Sequence, residues 1–241
     1  MTLEVNAVGL PVGFTVDGWT PPPHPPLEPM AGRVCRVEPL DVARHAADLY
    51  AAHALDADGR NWTYLPYGPF ATLGEYTAFL TTLVGKQDPQ FYTIVDLATG
   101  RAVGVASYLR IDPAAGSIEV GHISYSPLLQ RTVASTEAMY LMMRRAFGLG
   151  YRRYEWKCHA LNAASRAAAQ RLGFSYEGIF RQARVDKGRN RDTAWYAAID
   201  REWPALDAAF QRWLDPSNFD QQGRQRASLS TLTGLVLVAR G

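Results

Sequence analysis

"GHISYSPLLQRTVASTEAMYL" runs from Gly121 to Leu141, and the reading of this stretch decides the fold. Its first residues belong to a β-rich segment that stops at Pro127. Beyond it, Ala138, Leu141, Met142, Ala146 and Phe147 hold a helical spacing. Between strand and helix lie Gln130, Arg131 and Thr132, rich in donors and poor in anything a core would take. The first turn of a helix leaves N–H groups unpaired and carries partial positive charge, so it is a ready anion site. The same residues also read as a plain N-cap by Thr132, with Glu137 complementing the dipole.

Working outward, "RVCRVEPL" (33–40) predicts a short strand, and "DVARHAADLYAAH" predicts a helix capped by Asp41. An aromatic loop, "NWTYLPYGPF", precedes a helix near Gly74–Val84. Two strands follow around a hairpin turn centred on Gly100, then a strand over Ser117–Ser126. After the helix come a strand over Tyr151–Ala160, an Ala-rich helix stopped by Gly173, two strands joined by "KGRNR", and a helix opened by Pro204. This order predicts an α+β, mixed α/β fold around a hairpin-rich sheet, with one parallel crossover from Ser117–Ser126 to Tyr151–Ala160.

Residues 1–30 are rich in Pro and Gly and read as an extended arm lying on the domain, since Phe14, Val16 and Trp19 want burial. Residues 31–215 read as one domain. Residues 216–241 read as a polar tail with a short apolar run at Leu235–Val238.

The 241 residues, 47% apolar and 20% charged, suit a soluble globular chain with a sizeable core. A net charge of +2 gives no argument for nucleic acid or membrane. No secretory leader is visible and Leu235–Val238 is too short to span a bilayer, so a cytoplasmic location is expected. Cys35 and Cys158 share no metal-ligand spacing and read as reduced thiols, with a single disulfide left open. The five histidines sit singly, and no metal is implied.

The loop with its flanks, together with "YRRYEWKCHALNAASRAAAQRLGFSYEG" (151–178), resembles the GCN5-related N-acetyltransferase superfamily, and within it the RimJ/RimL-like branch. The resemblance covers roughly Arg33 to Trp213. It implies a central, mostly antiparallel twisted sheet with a splayed parallel pair, flanked by helices. It also implies an acetyl-CoA-dependent enzyme that acetylates a primary amine, either a protein N-terminus or a small molecule. Another acyl donor, such as succinyl-CoA, or a non-catalytic acyl-CoA-binding module are the alternatives.

By the same resemblance, the pantetheine arm of acetyl-CoA pairs with the backbone of Ile123, Ser124 and Tyr125. The pyrophosphate lies on the loop and first turn: Gln130, Arg131, Thr132, Val133, Ala134, Ser135 and Thr136. Val133 and Ser135 stand where the superfamily has small residues. Asn162 matches the asparagine that opens the next helix and is also a good N-cap. Ser165 and Arg166 lie one turn on, Arg166 being either a phosphate ligand or solvated.

Acyl transfer needs a deprotonated amine and a polarised thioester carbonyl. Glu119 is the candidate base, eleven positions before Gln130, the spacing held in the superfamily's histone-modifying branch. His122 is the second candidate, set on the opposite face by strand alternation unless a bulge intervenes. Tyr125, Ser124 and Cys158 lie near the gap and are candidates for the acid. The superfamily's helix tyrosine is replaced by Ala169. Trp62, Tyr64, Tyr67 and Phe70 either wall the acceptor site or seal a core, and Tyr108 and Trp195 are acceptor-wall candidates from the sheet. The basic hairpin with Arg181, Arg184, Lys187, Arg189 and Arg191 reads as solvated, and RNA ranks low. The acceptor stays unidentified, and the arm and tail could both reach a second subunit in a homodimer.

Overall fold

A computed structural model describes residues 4–241, so positions 1–3 of the arm lie outside the described residues. In chain order the strands are β1 (Glu4–Val5), β2 (Pro11–Val12), β3 (Met30–Ala31), β4 (Cys35–Pro39), β5 (Gln90–Asp96), β6 (Ala102–Asp112), β7 (Ser117–Tyr125), β8 (Arg153–His159), β9 (Ser175–Asp186) and β10 (Arg189–Ile199). The helices are α1 (Val42–His53), α2 (Leu73–Thr81), α3 (Val133–Gly148), α4 (Ala163–Arg171), α5 (Trp203–Leu214) and α6 (Leu229–Thr233).

Eight strands form one sheet in the order β3-β4-β5-β6-β7-β8-β10-β9. Every neighbouring pair is antiparallel except β7 and β8, which are parallel and joined through α3, as the order of elements predicts. That pair is short. Ser117, Ile118, Glu119 and Val120 lie opposite Arg153, Tyr154, Glu155 and Trp156, and beyond them the two strands part. Each keeps its other neighbour, β6 for β7 and β10 for β8, so the sheet opens into a wedge without losing its edges.

Alternation along the strands sorts side chains into two cores. Tyr92, Ile94, Ala106 and Tyr108 join α3 and α5 in the larger one. Phe91 and Val105 face the other way, with Leu49 of α1 and Tyr76 and Leu80 of α2. Helix starts follow local chemistry: Asp41, Thr132 and Asn162 each accept a hydrogen bond from the amide three residues on.

The Pro-rich arm is docked by donors that the body supplies, because prolines offer carbonyls and no N–H. Gln90 Nε2 donates to Pro25 O, Tyr92 to Pro26 O, Tyr151 to Pro23 O, and Arg145 to the carbonyls of Pro26, Glu28 and Pro29. Residues 216–241, expected as a polar tail, fold back instead. Leu229 and Thr233 are fully buried, Tyr176 N–H donates to Ala239 O, and Gln170 Nε2 donates to Gly241 O. Among the described residues, no helix is long and apolar enough to cross a membrane.

Candidate active site

A cavity of about 320 Å³ lies where β7 and β8 part. Its floor is the middle of both strands, from Glu119 to Ile123 and from Trp156 to His159. The aromatic loop contributes Tyr64, and the β9–β10 hairpin closes one side with Phe180, Arg184, Arg191, Thr193 and Trp195.

The local shape of β7 comes from one extra residue. Ser107 lies opposite Gly121 and Val105 opposite Ser124, so three steps on β7 match two on β6. The bulge centres on His122, whose φ of 49° is left-handed. Alternation alone sets His122 away from Glu119; the bulge brings both into one cavity. The imidazole packs between Tyr67 and Phe91, with Nδ1 3.4 Å from the Tyr67 hydroxyl. Burial, with Arg110, Arg184 and Arg191 nearby, pulls its pKa down to about 4, so it is neutral at pH 7.

Glu119 is buried beneath the cavity, and its two oxygens differ. Oε2 accepts from Arg110 Nη1 at 2.7 Å and pairs with Lys157 Nζ at 2.9 Å. Oε1 has no protein donor among the described residues and lies toward Gly121. Burial pushes the Glu119 carboxyl above the usual carboxylate range, and the charges of Arg110 and Lys157 work against that rise. Lys157 also pairs with Glu155 Oε2 at 2.7 Å and stands 3.7 Å from the centre of the Trp195 ring.

The junction at 126–132 exposes backbone donors. Among the described residues the amides of Arg131, Val133 and Ala134 have no protein acceptor, whereas the Ser135 amide donates to Thr132 Oγ1. Only Arg131 has a positive φ here (61°). Val133 and Ser135 sit in ordinary helical backbone, so the missing glycines impose no strain. Ser126 N–H turns to β6, donating to Val103 O, so by alternation the main-chain groups of Ile123 and Tyr125 turn into the gap. Tyr125 O and Asn61 Oδ1 both accept from Gln130 Nε2.

Several predicted site residues are placed elsewhere. Tyr108 does not wall the cavity: it is fully buried and donates to Met142 O at 2.6 Å. Trp62 seals the second core, packed against His53, Phe70 and Tyr76. Tyr67 lies behind His122, its hydroxyl pushed up by burial. The Tyr125 hydroxyl donates to Ser135 O, and the Ser124 hydroxyl is buried 3.5 Å from His53 Nε2, so neither side chain reaches the gap. The hydroxyls of Thr132 and Ser135 are used within the cap, and buried Thr136 accepts from Arg171 Nη1. Arg166 is held by Ala160 O and the Tyr196 hydroxyl.

The cavity does gather Glu119, Ile123, Asn162, Ser165, Tyr64 and Trp195. Asn162 Oδ1 caps α4, leaving Nδ2 without a protein partner among the described residues. Ser165 Oγ accepts from Trp156 Nε1, and Tyr64 reaches across to Leu161 O. Cys158 lines the cavity as a free thiol, which burial keeps protonated. Sequence reasoning missed Arg110 and Lys157. The signal for Lys157 was present in "YEWKCH", where Glu155 and Lys157 alternate onto one face. Among the described residues, no group of His, Cys, Asp and Glu is arranged to hold a metal.

The profile of the acetyltransferase (GNAT) domain matches residues 36–175. A GCN5-related N-acetyltransferase from Brucella melitensis is 45% identical, with a TM-score of 0.89, covering 91% of this chain and 100% of that one. A structure from Chromobacterium violaceum ATCC 12472, described as one of the "probable acetyltransferases (GNAT family)", is 40% identical with a TM-score of 0.76, covering 81% of this chain and 98% of that one. RimL, a ribosomal L7/L12 alpha-N-protein acetyltransferase, has a TM-score of 0.61 at 21% identity over 71% of this chain and 94% of that one, a likeness of fold alone. No curated protein matches.

Proposed function

The chain belongs to the GNAT acetyltransferase family and transfers acetyl groups to amines, and from that premise we propose that acetyl-CoA is its donor and Glu119 its base. The observation that carries this reading is the asymmetry of Glu119. Two cations hold Oε2, and Oε1 has no protein donor among the described residues, on a side chain that lines the cavity between β7 and β8.

The chain has groups suited to each part of the donor. The outward main chain of Ile123 and Tyr125 offers the pairing positions of an added strand to the pantetheine amides. The unpartnered amides of Arg131, Val133 and Ala134, at the start of α3, suit a pyrophosphate. Asn162 Nδ2 supplies a further donor at the start of α4.

The thioester supplies an electrophilic carbonyl carbon and a thiolate leaving group. Glu119 Oε1 takes a proton from the acceptor ammonium, directly or through one water, and the freed nitrogen attacks that carbon. A gap-facing N–H near Ile123 donates to the developing oxyanion. The C–N bond forms and the C–S bond breaks. The nitrogen, cationic after the attack, gives up its second proton, which passes to the departing sulfur through water or by way of the neutral Cys158 thiol. Glu119 returns the first proton to solvent.

The test is thermal unfolding with acetyl-CoA, CoA and ATP, followed by thiol release with a panel of primary amines. Stabilisation by both CoA species but not ATP, with amine-dependent release, supports the reading. Failure of acetyl-CoA to bind sinks it.

A further inference from the structure

Arg191, Thr193 and Trp195 alternate along β10 and therefore share one face, and all three line the cavity. Each carries a buried polar atom with no partner among the described residues: Arg191 Nε, Thr193 Oγ1 and Trp195 Nε1. Thr193 is only 5% exposed. Asn61 adds Nδ2 from the turn opposite, since its Oδ1 is used by Gln130. Of nine such atoms among the described residues, four therefore belong to residues that line this one cavity. Three are N–H donors and the fourth is a hydroxyl that can donate. Buried donors are almost always satisfied in folded proteins, so a cluster of unmet ones marks the place of a ligand with acceptor oxygens.

The charge of the lining says which oxygens. Arg110, Lys157, Arg184 and Arg191 all line the cavity, and Glu119 is the only acid among the lining residues. Glu119 is already paired with Arg110 and Lys157. On the hairpin, Arg184 and Arg191 share the single carboxylate of Asp186, at 3.5 and 2.8 Å. Positive charge is therefore left over beside the unmet donors. A carboxylate, with two acceptor oxygens and a negative charge, meets both conditions.

Position assigns the carboxylate to the acceptor. β10 lies across β8 from the gap, away from the main chain of Ile123 and Tyr125 that suits the donor's arm. Lys157 ties the row to the base, touching both the Trp195 ring and Glu119 Oε2. We propose that Arg191, Thr193 and Trp195, with Arg184 and Asn61, form a carboxylate subsite, and that the acceptor is a primary amine that itself carries a carboxylate. This rests on Glu119 being the base, which fixes where the amine stands.

The experiment is titration calorimetry of matched amines onto the full chain saturated with CoA. One arm sets β-alanine against β-alaninamide; the other sets the peptide amide Ser-Glu against Ser-Gln. The carboxylate member should bind on the order of tenfold more tightly in at least one arm, and that arm separates a small amino acid from an acidic protein N-terminus. Arg191→Gln and Thr193→Val should each bring the two members together while acetyl-CoA affinity stays at the wild-type value. Equal affinity within both pairs, or no amine binding at millimolar concentration, overturns the proposal. So does a preference for succinyl-CoA over acetyl-CoA that Arg191→Gln abolishes, because the carboxylate would then belong to the donor. Failure of the wild type to bind CoA or acetyl-CoA instead sinks the assignment of the donor, and the same amine titrations on the chain without CoA then read the subsite by itself.

Discussion

Lys157 Nζ stands 2.9 Å from Glu119 Oε2, on the oxygen that Arg110 also holds. The same ammonium lies 2.7 Å from Glu155 Oε2, and Glu155 is the register partner of Glu119 across the parallel pair. One buried cation thus neutralises parts of two carboxylates that strand pairing sets side by side. Burial works against an ionised Glu155, but hydrogen bonds from Lys157 and Arg153 hold it below the usual carboxylate range. Glu119 lies deeper and stays above that range, nearer to what a base needs.

Glu119→Gln should lower kcat at pH 7 by on the order of a hundredfold or more, with acetyl-CoA affinity nearly unchanged. Wild type should show an acid limb in its pH–rate profile above the ordinary carboxylate value of 4.5, because the base works only when ionised and burial raises its pKa. Steady-state kinetics over pH 4.5–9 reads both effects; a fully active variant removes Glu119 from the mechanism.

Lys157→Met leaves two buried carboxylates facing each other without their shared cation. The acid limb should move to higher pH, and stability should fall by about 3–5 kcal/mol. Paired urea melts and pH–rate profiles measure this. A limb that stays in place would mean that Lys157 packs against Trp195 without tuning the base.

Val133→Pro tests the amides at the start of α3. Val133 is the first helical residue and Thr132 before it is extended (ψ 167°), so proline is compatible with the backbone there. The helix should survive while one unpartnered N–H is lost, weakening acetyl-CoA binding by about tenfold. Circular dichroism with calorimetry tests it, and unchanged affinity would place the pyrophosphate elsewhere.

Acid should destabilise the fold through His53 and His122, both pulled from 6.5 to about 4, in each case chiefly by burial. Between those values the unfolded chain binds protons that the folded chain refuses. Stability is therefore full above pH 6.5 and is lost as pH falls toward 4, by on the order of a few kcal/mol. Buried Glu119 contributes with the opposite sign, so the His122 share is read as the difference between wild type and His122→Gln in urea melts at pH 7.5 and 4.5. Parallel slopes for the two proteins would contradict the burial argument.

Tyr108→Phe should cost about 1 kcal/mol by losing the bond to Met142 O and leave KM for the amine unaltered. A raised KM would return Tyr108 to the acceptor wall.

Much of the framework was legible in the chain because the forces that set it are local. Asp41, Thr132 and Asn162 cap helices through amides three residues away, and apolar spacing alone marks α3. The donor-rich junction and the eleven-residue step from Glu119 to Gln130 needed nothing beyond sequence order. The segment after Asp215 was misread because its buried contacts, through Leu229 and Thr233, come from a single short turn of helix with no periodicity to reveal them.

The site itself depended on contacts between distant parts of the chain. A one-residue bulge turned His122 into the cavity, a register step not encoded in alternation. Tyr108 and Trp62 had the chemistry of a binding wall and became core, because burial follows from which sheet face the helices cover. The sequence by itself determined the helix caps, the order of elements and the anion-ready start of α3, since each rests on atoms a few residues apart. Only the tertiary structure decided that Lys157 and Arg110 meet at one oxygen of Glu119, because the register of β6, β7 and β8 sets side chains from three strands at one point.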